Sequence, residues 1–110
     1  MKIKTKITDV GEVLRLVEIS WYHGVGYADA FQIFVEINNK EIFLREVREK
    51  ILKKKRITLK LYAITGGEKY FCILEIIKLK SGAIINVKEC GNKVVFRKFK
   101  GKLERYLKIF

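Results

Sequence analysis

Between Ile57 and Lys100 the chain is broken by three glycine-bearing punctuations: Thr65-Gly66-Gly67-Glu68, Ser81-Gly82 and Gly91-Asn92. The segments between them, Ile57–Ile64, Lys69–Lys80, Ala83–Cys90 and Lys93–Lys100, are rich in β-branched and aromatic residues. Short strand-like runs joined by tight turns predict a four-stranded antiparallel meander over residues 57–100. No other feature restricts the fold as strongly.

Upstream, Lys2, Lys4 and Lys6 alternate with Ile3, Thr5 and Ile7, which predicts an edge strand whose lysines discourage sheet-to-sheet pairing. Asp9 followed by Glu12 resembles a capping box, and Val10, Val13, Leu14, Val17 and Trp21 recur at helical spacing. Phe31–Ile37, the turn Asn38-Asn39 and Lys40–Leu44 read as a hairpin. From Arg45, Val47, Ile51 and Leu52 form one stripe of a helix whose other positions are mostly basic. Leu103, Tyr106, Leu107 and Phe110 predict a short terminal helix after Gly101, with a final strand as the alternative. With no linker or repeat, residues 1–110 read as one α+β domain, an antiparallel sheet with helices packed on it.

Register then sorts the side chains, because a strand's alternate residues share a face. With two-residue turns at Ser81-Gly82 and Gly91-Asn92, one face collects Ile57, Leu59, Leu61, Ala63, Tyr70, Cys72, Leu74, Ile76, Ala83, Ile85, Val87, Val94 and Phe96. That is the expected core face. The other carries Lys60, Tyr62, Phe71, Ile73, Glu75, Ile77, Leu79, Lys88, Lys93, Arg97 and Phe99, with Glu75 set opposite Lys88 as a cross-strand pair. The same register separates Cys72 from Cys90, so two free thiols are expected.

Charge directs the search for function. The chain carries 24 Lys and Arg against 12 Asp and Glu, a net +12. Residues 1–37 hold four basic and five acidic residues, residues 38–60 nine against three, and residues 61–110 eleven against four. The excess therefore lies wholly after residue 37, and a polyanion, most often nucleic acid, is the expected partner there. A hydrophobic fraction of 49% excludes a disordered basic tail. No apolar run approaches the roughly 20 residues that span a bilayer. The lysine-rich start lacks the apolar segment of a secretory signal, so a cytoplasmic, non-membrane protein is expected. Two cysteines, no proline and abundant Ile, Lys and Glu suit a thermophile, an archaeon or an archaeal virus.

Three groups of residues are candidate nucleic-acid contacts. Lys50, Lys53, Lys54, Lys55 and Arg56 form the densest basic cluster, suited to gripping phosphates without reading sequence. Lys60, Lys88, Lys93 and Arg97 share a sheet face with Tyr62, Phe71 and Phe99, the mixture of cations and rings that a single-stranded platform uses. Lys100 and Lys102 extend a second basic stretch toward Lys108. Each group has a plainer explanation, as solvated charge or as the rim of a covered apolar face.

Trp21-Tyr22-His23-Gly24-Val25-Gly26-Tyr27-Ala28-Asp29 gathers the sole His and the sole Trp, but no motif frames a nucleophile there. One His, two separated Cys and two Asp make no recognisable metal site. No catalytic residue, metal or cofactor is assigned. The expected function is non-enzymatic binding of DNA or RNA through its phosphates, single strands being favoured over duplex. The alternatives are an assembly or inhibitor protein that dimerises through its sheet face and meets an acidic partner, and, third, a small nuclease.

Overall fold

The computed structural model describes residues 1–107. Six strands, β1 (Lys2–Thr5), β2 (Ala30–Ile37), β3 (Lys40–Phe43), β4 (Arg56–Thr65), β5 (Glu68–Leu79) and β6 (Gly82–Cys90), form one antiparallel sheet in the order β1-β6-β5-β4-β2-β3. Three helices, α1 (Val10–Val25), α2 (Leu44–Ile51) and α3 (Lys93–Leu107), complete an α+β architecture. Their buried residues join those of one sheet face in a single core that includes Leu14, Trp21, Ile51, Leu61, Leu74, Ile85, Phe99 and Leu103. The opposite sheet face carries none of the described helices.

Local chemistry explains most of these elements. Asp9 caps α1 by accepting the Gly11 N–H at 2.9 Å. Glu12 does not complete a capping box; it pairs with Arg15 at 2.6 Å. Asn38 and Asn39 have φ of 51° and 63°, the left-handed pair that a two-residue hairpin turn needs. Gly82 has φ of 149°, and a Cβ there would fall on the Thr5 carbonyl, so glycine lets β1 lie against β6.

Every apolar residue expected on the core face of β4, β5 and β6 is buried except Tyr70, which is half-buried. Three expectations need correction. Residues 93–100 are not a fourth meander strand but the first half of α3. Valine and phenylalanine at alternate positions suggested period two, yet Val95, Phe99, Leu103 and Leu107 also recur every four residues and are the positions that bury. Asn92 is no hairpin residue; its Oδ1 accepts the Val94 and Val95 N–H groups at 2.9 and 3.1 Å and so starts the helix. Val94, expected in the core, is consequently 57% exposed. Gly101, expected to precede the terminal helix, lies inside it, while Lys108 and Phe110 fall outside the described residues.

The second correction concerns register. The β5–β6 turn places Leu79 opposite Gly82, so Glu75 faces Asn86 rather than Lys88. A shift of two residues leaves the faces unchanged. The third follows from a bulge: Leu74 pairs with Val87 but Ile73 with Glu89, leaving Lys88 unmatched in the register. That extra residue reverses the face of everything beyond it. Cys72 and Cys90 thereby come opposite one another, and they form a disulfide rather than two free thiols.

Candidate nucleic-acid interface

α3 carries six basic residues, Lys93, Arg97, Lys98, Lys100, Lys102 and Arg105, against the single acid Glu104. With the Val95–Leu107 stripe turned inward, the charges take the outer face; all six are exposed except the half-buried Lys102. Lys100 pairs with Glu104 at 3.9 Å. Among the described residues the other five form no ion pair. Like charges held this close along a rigid rod maintain a positive potential that an incoming polyanion relieves.

The packing of α3 on α1 sets where that face points. Trp21 is fully buried, donates its indole N–H to the Tyr62 carbonyl at 3.1 Å, and meets the edge of Phe99 with ring centroids 5.3 Å apart. Gly24 allows the helices to approach, since a Cβ there would lie 2.8 Å from the Phe99 Cα. Beside this contact His23 Nδ1 and the Tyr106 hydroxyl are 2.8 Å apart. Between the helices a cleft of about 440 Å³ opens, lined by His23, Arg97, Lys98, Gly101, Lys102 and Arg105.

The cluster from Lys50 to Arg56 lies elsewhere, at the end of α2, in the connection that follows and at the first residue of β4, and all but its apolar members are exposed. It belongs to a larger basic end of the sheet. The Lys78 N–H donates to the Lys55 carbonyl at 2.8 Å, which places Lys78 and Lys80 beside it. Pairing of Thr5 with Ala83 adds Lys4 and Lys6, which line a second cleft with Ser81. None of these four lysines was among the expected contacts, because the β4–β5 pairing brings in Lys78 and Lys80 and the β1–β6 pairing brings in Lys4 and Lys6. The alternating lysines of β1 were the available signal.

The open sheet face differs most from expectation. Of the expected platform only Lys60, Tyr62, Phe71 and Lys88 share it; Lys93, Arg97 and Phe99 moved with α3, and Phe99 is fully buried. Lys60 is held between Glu36 at 3.3 Å and Glu41 at 3.0 Å. Its hydrogen bond to Glu41 raises the lysine above its ordinary range and lowers the carboxyl below its own. Tyr62 donates its hydroxyl to Glu41 at 3.3 Å, and burial chiefly raises its phenol. Lys69 covers the Tyr62 ring at 4.3 Å, and Phe34 packs on both Tyr62 and Phe43. Phe71 is half-buried, its ring against Gly91. Lys88 and Arg56 both approach the buried Glu75, at 3.8 and 3.3 Å. Lys60 and Lys88, the expected platform cations on this face, already answer carboxylates.

Of the Trp21–Asp29 segment, the residues to Val25 end α1, with His23 facing Tyr106, and Asp29 accepts the Gly66 N–H at 3.1 Å. Among the described residues no cluster of three metal-ligating side chains occurs, and no helix is long and apolar enough to cross a membrane. The chain matches no protein-family model, no curated protein and no solved structure.

Proposed function

We propose that this protein is a non-enzymatic nucleic-acid-binding protein that grips the phosphate backbone with the outer face of α3. The observation that carries this is the sidedness of the helix: four fully or nearly buried apolar residues on one stripe, and six basic residues against one acid around the rest. Lys53–Lys55 with Lys78 and Lys80 offer a second, separate set of phosphate contacts. Duplex now suits the surface better than single strands. The rings that a stacking platform needs are buried, as Phe99, or engaged by neighbours, as Tyr62, whereas backbone contacts require only exposed cations. A thermophilic source belongs to the same reading, since a disulfide in an intracellular protein is rare outside hyperthermophiles.

The test is binding of a labelled DNA duplex and its single strand across a salt series. Affinity should fall linearly on logarithmic axes with a slope that counts several phosphates, and Arg97→Glu with Arg105→Glu should reduce that slope by about 2. Flat salt dependence, or equal loss on substituting Lys60, would refute the assignment to α3.

One observation favours a second property that can coexist with the first. No described element covers the open sheet face, where Phe34, Phe43, Ile73, Ile77, Leu79 and Ile84 are all partly accessible. Such a face suits a second copy of the chain, stacked sheet to sheet with α3 outward on each side. Light scattering at several concentrations tests this; a monomer throughout excludes it.

A further inference from the structure

The cleft between α1 and α3 contains an oddity that binding to a helix face does not by itself explain. Gly101 lies in the interior of α3 and is exposed, and a Cβ built on it meets nothing within 4 Å. Glycine is the poorest ordinary residue for a helix interior. Gly24 has a packing reason, the Phe99 backbone against it; Gly101 has none within the described chain. What a bare helix position provides is a notch, where a ligand atom can approach the backbone more closely than any side chain permits.

The surroundings of the notch are of one sign. Arg97 stands one turn before Gly101 and Arg105 one turn after, about 12 Å apart along the axis, with Lys98 and Lys102 completing the cationic lining. The helix's only acid, Glu104, does not line the cleft and is paired with Lys100. The far wall is His23, held by the Tyr106 hydroxyl. Arginine forks suit phosphate oxygens better than any other side chain. Two such residues flanking a bare backbone position leave room between them for a tetrahedral anion.

We propose, given α3 as the nucleic-acid-binding surface, that this cleft seats one backbone phosphate directly over Gly101, clamped between Arg97 and Arg105. The phosphate anchors the register of the nucleic acid on the helix, while Lys93 and Lys100 make looser contacts on either side.

Two variants test this, Gly101→Ala and Gly101→Leu, since both fill the notch and both favour helix. Each should raise the Tm of the free protein by about 4 °C. Each should also weaken binding of a labelled DNA duplex, by about tenfold for the larger side chain, the loss of one charge-assisted contact. The salt slope should fall by about 1. A rise in stability with unchanged affinity and slope overturns the seat over Gly101, while Arg97→Glu with Arg105→Glu still reports on α3 as a whole. Absence of duplex binding by the unaltered protein overturns both. In a parallel arm, inorganic phosphate is titrated while the Gly101 amide is followed by NMR. Saturation at micromolar phosphate would assign the cleft to a free ion and overturn the nucleic-acid seat; a response only at the concentrations of weak screening supports it.

Discussion

Cys72 and Cys90 stand opposite one another across β5 and β6 because Lys88, two residues before Cys90, is an unmatched extra residue in the ladder. Without it the two side chains would point to opposite faces. The bulge therefore decides whether the chain has a cross-link or two thiols. The unmatched Lys88 itself lies 3.8 Å from Glu75 on the open face.

The disulfide closes a loop with a sequence separation of 18 residues. Loop-closure entropy for that length stabilises the folded state by about 3 kcal/mol. Reduction of the unaltered protein with a thiol reductant should lower the urea-unfolding free energy by about that amount without loss of the folded spectrum. Equal stability of the reduced and oxidised forms would contradict this assignment.

Two helix glycines should respond to alanine with opposite signs. At Gly24 a Cβ would lie 2.8 Å from the Phe99 Cα and 3.0 Å from its N, backbone atoms that yield only if the helices separate. Gly24→Ala should therefore cost about 1–3 kcal/mol despite alanine's better propensity. Gly101→Ala meets nothing and should stabilise by about 1 kcal/mol. Thermal melts of the two variants side by side settle the contrast.

The Lys60–Glu41 contact predicts a pH dependence with two limbs. Glu41 is lowered, chiefly by its hydrogen bond with Lys60, so its contribution is full above the unfolded carboxyl range and lost as pH falls through the folded value. Lys60 is raised, chiefly by the same bond, so its contribution is full below the unfolded lysine range and lost as pH rises through the folded value. Glu41 is 40% exposed, and solvent screening holds the effect to about 0.5 kcal/mol. Profiles of Tm against pH should show a smaller acid-side fall for Glu41→Gln than for the unaltered protein.

Glu75 is 6% exposed in the middle of an apolar strand, but its partners are not buried with it: the Arg56 and Lys88 side chains are 66% and 48% exposed. Both cations can rehydrate if the carboxylate is removed. Glu75→Gln should thus cost no more than about 1 kcal/mol in urea unfolding. Glu75→Leu should be equally tolerated or better, because it also removes a desolvated charge. A loss several times larger would show that the three groups act as one desolvated network.

What could be read without the structure was whatever depends on neighbours in sequence. Asn38-Asn39 needs only its own backbone preference to specify a hairpin, and the Val10–Trp21 spacing needs only the helical period. The core face of β4 to β6 survived even a misplaced turn, because the β5–β6 register slipped by two residues and side-chain alternation repeats every two. The excess of positive charge after residue 37 was also legible, since net charge and its distribution are properties of the string.

Tertiary structure alone decided the rest. Residues 93–100 satisfy period two and period four alike, and the choice fell to the helical stripe because α1 offers Phe99 and Leu103 a buried groove beside Trp21 and Gly24. That choice moved Lys93 and Arg97 off the sheet and onto an exposed rod, and removed Phe99 from any contact with a base. A single unpaired residue at Lys88 likewise brought two cysteines together from opposite faces. The sequence thus determined that this protein is an antiparallel-sheet domain with a large excess of positive charge in its later two-thirds. Which surface carries that charge unpaired was decided by long-range packing, because burial of one stripe compels the side chains on the other to face solvent.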